Sequence, residues 1–141
     1  MAYSTAFSQA ISIVIYIYFK TAEGMYDYLS TKAIAEKLNI PVPTAVKVIR
    51  RLTSAGLVCS KEGAKGGIIL NQNIEDITLY DVFHAVENGN PLFKRHTEFK
   101  VTNDQIDLLK VRVLHTLDDA EEAMHESLRK VRLIDFLKDM I

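Results

Sequence analysis

The first apolar block, Phe7 to Lys20, carries Ile11, Ile13, Val14, Ile15, Tyr16, Ile17, Tyr18 and Phe19 on almost every side. Periodicity alone does not separate a buried strand from a buried helix here, and the β-branched residues favour a strand. Its length of about 14 residues points instead to a helix. Ser4 or Thr5 can cap it, and a helix this apolar must be covered on more than one side. Thr21 to Tyr28 reads as a loop broken at Gly24.

The next two blocks are short and amphipathic. Ser30 or Thr31 caps a helix through Ile34, Ala35 and Leu38, and Asn39 ends it because asparagine tolerates the left-handed conformation. After Ile40 and Pro41, Pro43 sits in the first turn of another helix, where its missing N–H is no loss. That helix runs to about Ala55 and stops at Gly56. Two short helices around a tight turn have the dimensions of a helix-turn-helix. Leu57-Val58-Cys59 and Ile68-Ile69-Leu70 then read as paired strands around a glycine-rich, cationic turn, which makes a winged helix.

Thr78 caps a fourth helix, Leu79 to Asn88, with Leu79, Val82, Phe83 and Val86 on one face and Gly89 and Pro91 closing it. Residues 89–103 form a polar loop, of a length that is usually functional or mobile. Thr102 or Asn103 then opens a long helix from Asp104 to about Lys130. Its stripe of Ile106, Leu109, Val113, Leu117, Ala120, Met124, Leu128 and Val131 advances in steps of 3, 4, 4, 3, 4, 4 and 3. Leu108, Val111 and Leu114 add a second stripe. At 1.5 Å per residue this rod spans roughly 40 Å and overshoots so small a body. Its apolar face needs cover, most simply from the same helix of a second copy. Folding back on its own domain is the alternative. A tail helix, Leu133 to Met140, follows. The expected fold is mainly α with a small β-hairpin wing, divided into residues 1–88 (winged helix-turn-helix), 89–103 (loop) and 104–141 (dimerisation and tail helices).

Composition narrows the class. With 141 residues, 48% apolar and 25% charged, the chain is an ordinary globular protein that needs no disulfide or metal staple. A single cysteine, Cys59, excludes an internal disulfide and any all-cysteine metal site. The run Ile13 to Phe19 falls well short of a membrane span, and no charged segment precedes it as in a signal peptide. A cytoplasmic location is the expectation. The net charge of −1 hides an asymmetry: residues 30–70 carry seven basic and two acidic side chains, while residues 104–141 carry nine acids and six bases. A local basic block is what polyanion binding needs, although an unevenly charged solvated surface looks the same.

Within that block, Ala45, Ile49 and Leu52 form a buried stripe on the third helix, and Thr44, Lys47, Arg51 and Ser54 fall on the other face, with Arg50 between. Such a face suits the major groove of DNA, since lysine and arginine pair with guanine or phosphate. A plain amphipathic helix with a cationic outside is the alternative. In the hairpin, Gly63, Gly66 and Gly67 allow a tight turn and close approach, and Lys61 and Lys65 stand where a wing meets phosphate or the minor groove. Those lysines serve equally to discourage edge pairing.

Cys59 is either a redox thiol, with Lys61 two residues away on the same strand face, or a buried packing residue. His115, Asp119 and Glu122 have a metal-like helical spacing that surface ion pairing explains as well. No phosphate loop, nucleophile motif or paired-carboxylate signature is present, so enzyme activity is not expected.

The run Leu29-Ser30-Thr31 with Ile34-Ala35-Glu36, then Ile40-Pro41, Ala55-Gly56-Leu57-Val58 with Ser60, Gly63 with Gly66-Gly67 and Leu70, and Ile77-Thr78-Leu79 with Asp81-Val82 resembles one bacterial family. It is the small dimeric winged-helix transcription regulators that include IscR, NsrR and CymR, and the resemblance covers nearly the whole chain. It implies a homodimer on a palindromic operator, most simply a repressor, with the long helix crossing its mate. It places groove contacts on Pro41, Pro43, Thr44, Val46 and Lys47, so that base readout rests on Thr44 and Lys47. Ser30, Thr31, Arg50, Arg51, Lys61, Lys65, Gly66 and Gly67 complete the expected DNA surface. Three departures stand out. Members that sense redox state or nitric oxide hold an iron–sulfur cluster on three cysteines in the loop after the fourth helix. Residues 89–103 contain none, so no cofactor is expected, and His96 is the only soft ligand there. Glu62 stands where the wing usually has arginine, and Ile68 replaces an aromatic residue. The signal is then a small molecule between the DNA-binding domain and the dimer helices, or chemistry at Cys59. The competing reading is a winged-helix protein-interaction module that has lost DNA binding.

Overall fold

The computed structural model describes residues 5–24, 27–63 and 66–140. Helix α1, Ala6–Ala22, is a helix as its length required, and Ala10, Ile13, Val14 and Ile17 are completely buried in it. Thr5 occupies the N-cap position without a side-chain hydrogen bond, and the alternative cap Ser4 lies outside the described residues. Helix α2, Thr31–Leu38, is capped by Ser30, whose Oγ accepts from the Ala33 N–H at 3.1 Å. Asn39 ends it at φ 54°, and the Ile40 N–H returns to the Ala35 carbonyl at 2.9 Å. Helix α3, Val42–Ser54, starts from Pro41.

The hairpin pairs β1, Val58–Lys61, with β2, Gly67–Leu70, in antiparallel register, Val58 opposite Leu70 and Lys61 opposite Gly67. Leu29 adds a bridge that the sequence pattern did not suggest. Its N–H donates to the Ile68 carbonyl at 3.0 Å, and the Ile68 N–H donates back at 2.6 Å. The wing is thereby fastened to the residue that precedes the cap of α2. Gly67 makes this approach feasible: at φ +146°, a Cβ there would lie 2.5 Å from the Leu29 carbonyl oxygen.

A 3-10 turn at Ile74–Asp76 leads to α4, Leu79–Glu87, which begins in a capping box. Thr78 Oγ1 accepts from the Asp81 N–H at 3.1 Å, while the Asp81 carboxylate accepts from the Thr78 N–H at 2.9 Å. Helix α5, Asp104–Arg129, is capped by Asn103 and contains no buried residue. The tail forms a 3-10 turn, Leu133–Leu137, rather than the expected helix to Met140. It returns to the first body: the Leu79 N–H donates to the Val131 carbonyl at 2.8 Å, and the Leu133 N–H donates to the Ile77 carbonyl at 2.9 Å. Leu133 and Leu137 join the core cluster made by α1 to α4 and the hairpin. The sequence pattern assigned this tail to the dimerisation segment, yet its leucines are core residues of the winged-helix body.

Leu133→Ala should therefore destabilise the protein by about 2–5 kcal/mol in denaturant unfolding, as for other core leucines; a loss near zero would place the tail outside the core. The Arg132 N–H bond at 2.9 Å holds the Asp135 carboxyl below the usual carboxylate range, and the Arg132 and Lys138 charges add to this. Such a group stabilises the fold above its unfolded-state pKa and loses that contribution as pH falls through the depressed value. The difference in melting temperature between the protein and Asp135→Asn should be full near neutral pH and close in acid.

Candidate nucleic-acid interface

Helix α3 buries Ala45, Val48, Ile49 and Leu52. Val48, absent from the stripe read in the sequence, turns the buried face, so the arc directed outward is Pro43, Val46, Lys47, Arg50 and Ser54. Lys47 and Arg50 have no hydrogen bond or ion pair among the described residues. Val42 and Val46 are 44% and 38% exposed at the N-terminal end. Cationic and apolar surface thus stand together on one protruding helix.

Arg51 and Thr44 stand beside this arc. Both line a cleft between α3, α1 and α4. Arg51 Nη1 donates to the Val86 carbonyl at 2.5 Å, satisfying an acceptor near the C-terminal end of α4. The sequence pattern put Arg51 on the outer face; it is exposed there, and its head also reaches across to the Val86 carbonyl of α4.

The wing places Lys61 over the Tyr28 ring, 5.6 Å from its centroid. This partner was invisible in the sequence because the pair is 33 positions apart and no periodicity links them. Gly66 and Gly67 are half-buried at the return of the hairpin, and Glu62 is exposed beside them. Lys65 lies outside the described residues. Ser30 is exposed as the cap of α2, and Thr31 is half-buried next to it. Cys59 is a free thiol, partly exposed. It pairs with Ile69, on the sheet face opposite the buried Val58 and Ile68. The buried-packing reading of Cys59 is therefore corrected, since strand alternation turns it outward with Lys61.

The loop 89–103 has no regular secondary structure but is anchored to α5. The Leu92 N–H donates to Glu121 Oε1 at 2.7 Å, Arg95 pairs with Asp118 and lies 3.8 Å from Glu121, and Lys110 stands over Phe99 at 4.8 Å. Only the C-terminal part of α5 meets α4: Arg129 lies 4.2 Å from the Tyr80 ring, and His125 packs against Tyr80 and Phe83. Arg129 also pairs with Glu122 at 2.8 Å and Glu126 at 2.5 Å, and His125 approaches Glu122 at 3.5 Å. His115 and Asp119 form an exposed pair at 3.5 Å. Farther along, Leu108, Leu109, Val111 and Val113 are each about half exposed, from 49% to 64%. Ile106, Leu117, Met124 and Leu128 are half-buried and Ala120 is exposed, so the predicted stripe exists, with Leu109 and Val113 left half exposed among the described residues.

Helix-turn-helix, hairpin wing and long terminal helix define a winged-helix regulator. The chain belongs to the Rrf2 family, described as iron-dependent transcriptional regulators, whose profile matches residues 3–139. It is 32% identical over 117 residues to protein rrf2 of Nitratidesulfovibrio vulgaris, covering 82% of this chain and 75% of that one. It is also 32% identical over 94 residues to the putative HTH-type transcriptional regulator YwgB of Bacillus subtilis. That match takes in 67% of this chain but 58% of the relative's length. Among solved structures, CymR, the global cysteine regulator of B. subtilis, superposes with a TM-score of 0.65 at 25% identity, covering 96% of this chain and 95% of that one. IscR of T. potens shares the fold, with a TM-score of 0.69 at 24% identity, covering 100% of this chain and 89% of that one.

The residues present do not fit iron. Cys59 is the chain's only cysteine and sits on the wing. Among the described residues no cluster of three His, Cys, Asp or Glu side chains is placed to hold a metal ion. His96, in the loop, lies beside the Phe99 ring at 5.3 Å. Nor is any described helix long and apolar enough to cross a membrane.

Proposed function

We propose that this regulator acts in the cytoplasm as a homodimer that binds a palindromic DNA operator, as a repressor and without catalytic activity. Residues 1–88 carry the DNA contacts and α5 supplies the dimer contact, with the tail returning to the first body. The observation that carries this reading is the outward arc of α3, where Lys47 and Arg50 project unpaired beside exposed Val42 and Val46. Lysine and arginine supply phosphate and guanine contacts, and valine methyls suit thymine methyls. Thr44, Ser30, Thr31 and the wing residues Lys61, Gly66 and Gly67 add further DNA contacts, while Arg51 acts by holding α3 to α4. Two such helices, one per protomer, would enter grooves about 34 Å apart or a multiple of that.

The exposed leucines and valines of α5 support the dimer. Unpaired, they would leave a contiguous apolar strip in water on a helix with no buried residue. A second copy of the same helix covers it symmetrically.

Glu62 on the wing favours a second reading, a protein-interaction module without DNA binding, because a carboxylate there repels phosphate. Selection of bound duplexes from a random pool, together with heparin retention, decides between the two. For six to ten phosphate contacts, affinity should fall about 10³- to 10⁵-fold between about 50 and 200 mM salt. Lys47→Ala with Arg50→Ala should weaken binding and flatten the salt dependence by about two charges per protomer. Binding that ignores salt, or a double variant that binds as tightly, would sink the proposal.

Leu109→Glu with Val113→Glu should convert the dimer to a folded monomer in sedimentation at micromolar concentration, since two charges would be buried unpaired. A wild-type protein that already sediments as a monomer would remove α5 as the dimer contact.

A further inference from the structure

The flank of α3 beside its outward arc opens onto a cleft of about 500 Å3, bounded by the start of α1, residues 43–51 of α3 and the end of α4. This size lies within the usual range of small-molecule sites. Lys47 and Arg51, one turn apart on α3, both line it, with Thr44 a turn earlier. Arg51 is exposed, but its head is tethered. Its Nη1 is fixed on the Val86 carbonyl, and its remaining N–H groups have no hydrogen bond among the described residues. A guanidinium held in place this way presents donors to a ligand with little further loss of freedom. Pro43 and Ala6 supply apolar surface. Glu87, 4% exposed and accepting from Asn90 Nδ2 at 3.1 Å, adds a negative charge at the end of α4.

We propose that this cleft binds a small organic monocarboxylate. The carboxylate pairs with Arg51 and Lys47, and the hydrocarbon part lies over Pro43 and Ala6. A second anionic group would fall on that apolar wall without a partner and is disfavoured by its desolvation. Because Lys47 also belongs to the outward arc, an occupied cleft withdraws a cation from phosphate. That consequence rests on the DNA-binding reading above, whereas the ligand site itself does not.

The test is a residue-resolved NMR titration of the full chain with hexanoate, with hexylammonium and succinate as charge controls. Hexanoate should give saturable amide shifts at Gln9, Thr44, Arg51 and Asn90. Succinate should bind more weakly and hexylammonium not at all. Arg51→Met should weaken hexanoate about tenfold, as expected for loss of one charged hydrogen-bonding group. Lys47→Met, an exposed position that does not threaten folding, should do so independently, and Arg50→Met, outside the cleft, should leave it unchanged. Non-saturating shifts, shifts centred on the α5 apolar strip, or equal binding of hexylammonium would overturn the site. If hexanoate binds as expected while no duplex is retained, the cleft stands and the DNA reading falls. If duplex binding is strong and hexanoate is silent, the cleft falls alone.

Discussion

The burial of α1 on several sides is the constraint from which the rest of the architecture follows. Ala10, Ile13, Val14 and Ile17 have no exposed surface, and Phe7 meets Phe83 edge-on at 5.4 Å. A helix so apolar is stable only when enclosed. Here α2, α3, α4 and the second hairpin strand supply the enclosure, and Leu133 and Leu137 of the tail close the remaining gap. Helix α3 is consequently braced along its inner face, and its outward arc is left to whatever partner the protein has. A helix loosely attached to the body could not hold Lys47 and Arg50 in a defined relation to a groove.

Helix α5 presents the opposite case. Its many ion pairs are exposed, and exposed pairs contribute little. What fixes the helix to the body is the backbone pairing of the tail with the start of α4 and the contact of His125 and Arg129 with the Tyr80 and Phe83 rings. Both anchors lie toward the C-terminal end. Arg95 and Leu92 of the loop 89–103 hold Asp118 and Glu121, past the middle of the helix, and Lys110 over Phe99 ties the loop to the N-terminal half. The body therefore rests at one end of a rod whose other end keeps its apolar strip uncovered.

Much of this was legible in the sequence because its cues are local. Ser30, Asn39, Thr78 and Asn103 act as helix boundaries through bonds to neighbours a few residues away, and the chain pattern placed Asn39 and Thr78 outright and Ser30 and Asn103 each as one of two adjacent candidates. The hairpin strands were found from two apolar runs around glycines. What escaped detection is long-range. The Leu29 bridge to Ile68 joins residues far apart in sequence, as does the return of Leu133 to Ile77, and a strand one residue long has no alternation to read. The tether of Arg51 was missed for the same reason. Arg51 stays exposed on the flank of α3, and its bond to the Val86 carbonyl joins positions too far apart in sequence for any helical periodicity to show it.

The family description raises iron, and the structure shows how a chain can keep the fold without the metal. A cluster serves a loop in two ways: it reports a chemical state, and its bonds hold the backbone together. In this chain the second task falls to polar contacts. The Leu92 N–H on Glu121, Arg95 between Asp118 and Glu121, and Lys110 over Phe99 pin residues 89–103 along α5 without a single thiolate. Fold similarity carries over the scaffold, whereas cofactor chemistry depends on the donor set at one place in it. Thiolates that could ligate a cluster are absent from the loop. The order of this segment therefore depends on charge and packing, which respond to solution conditions and to a bound partner rather than to the redox state of a metal.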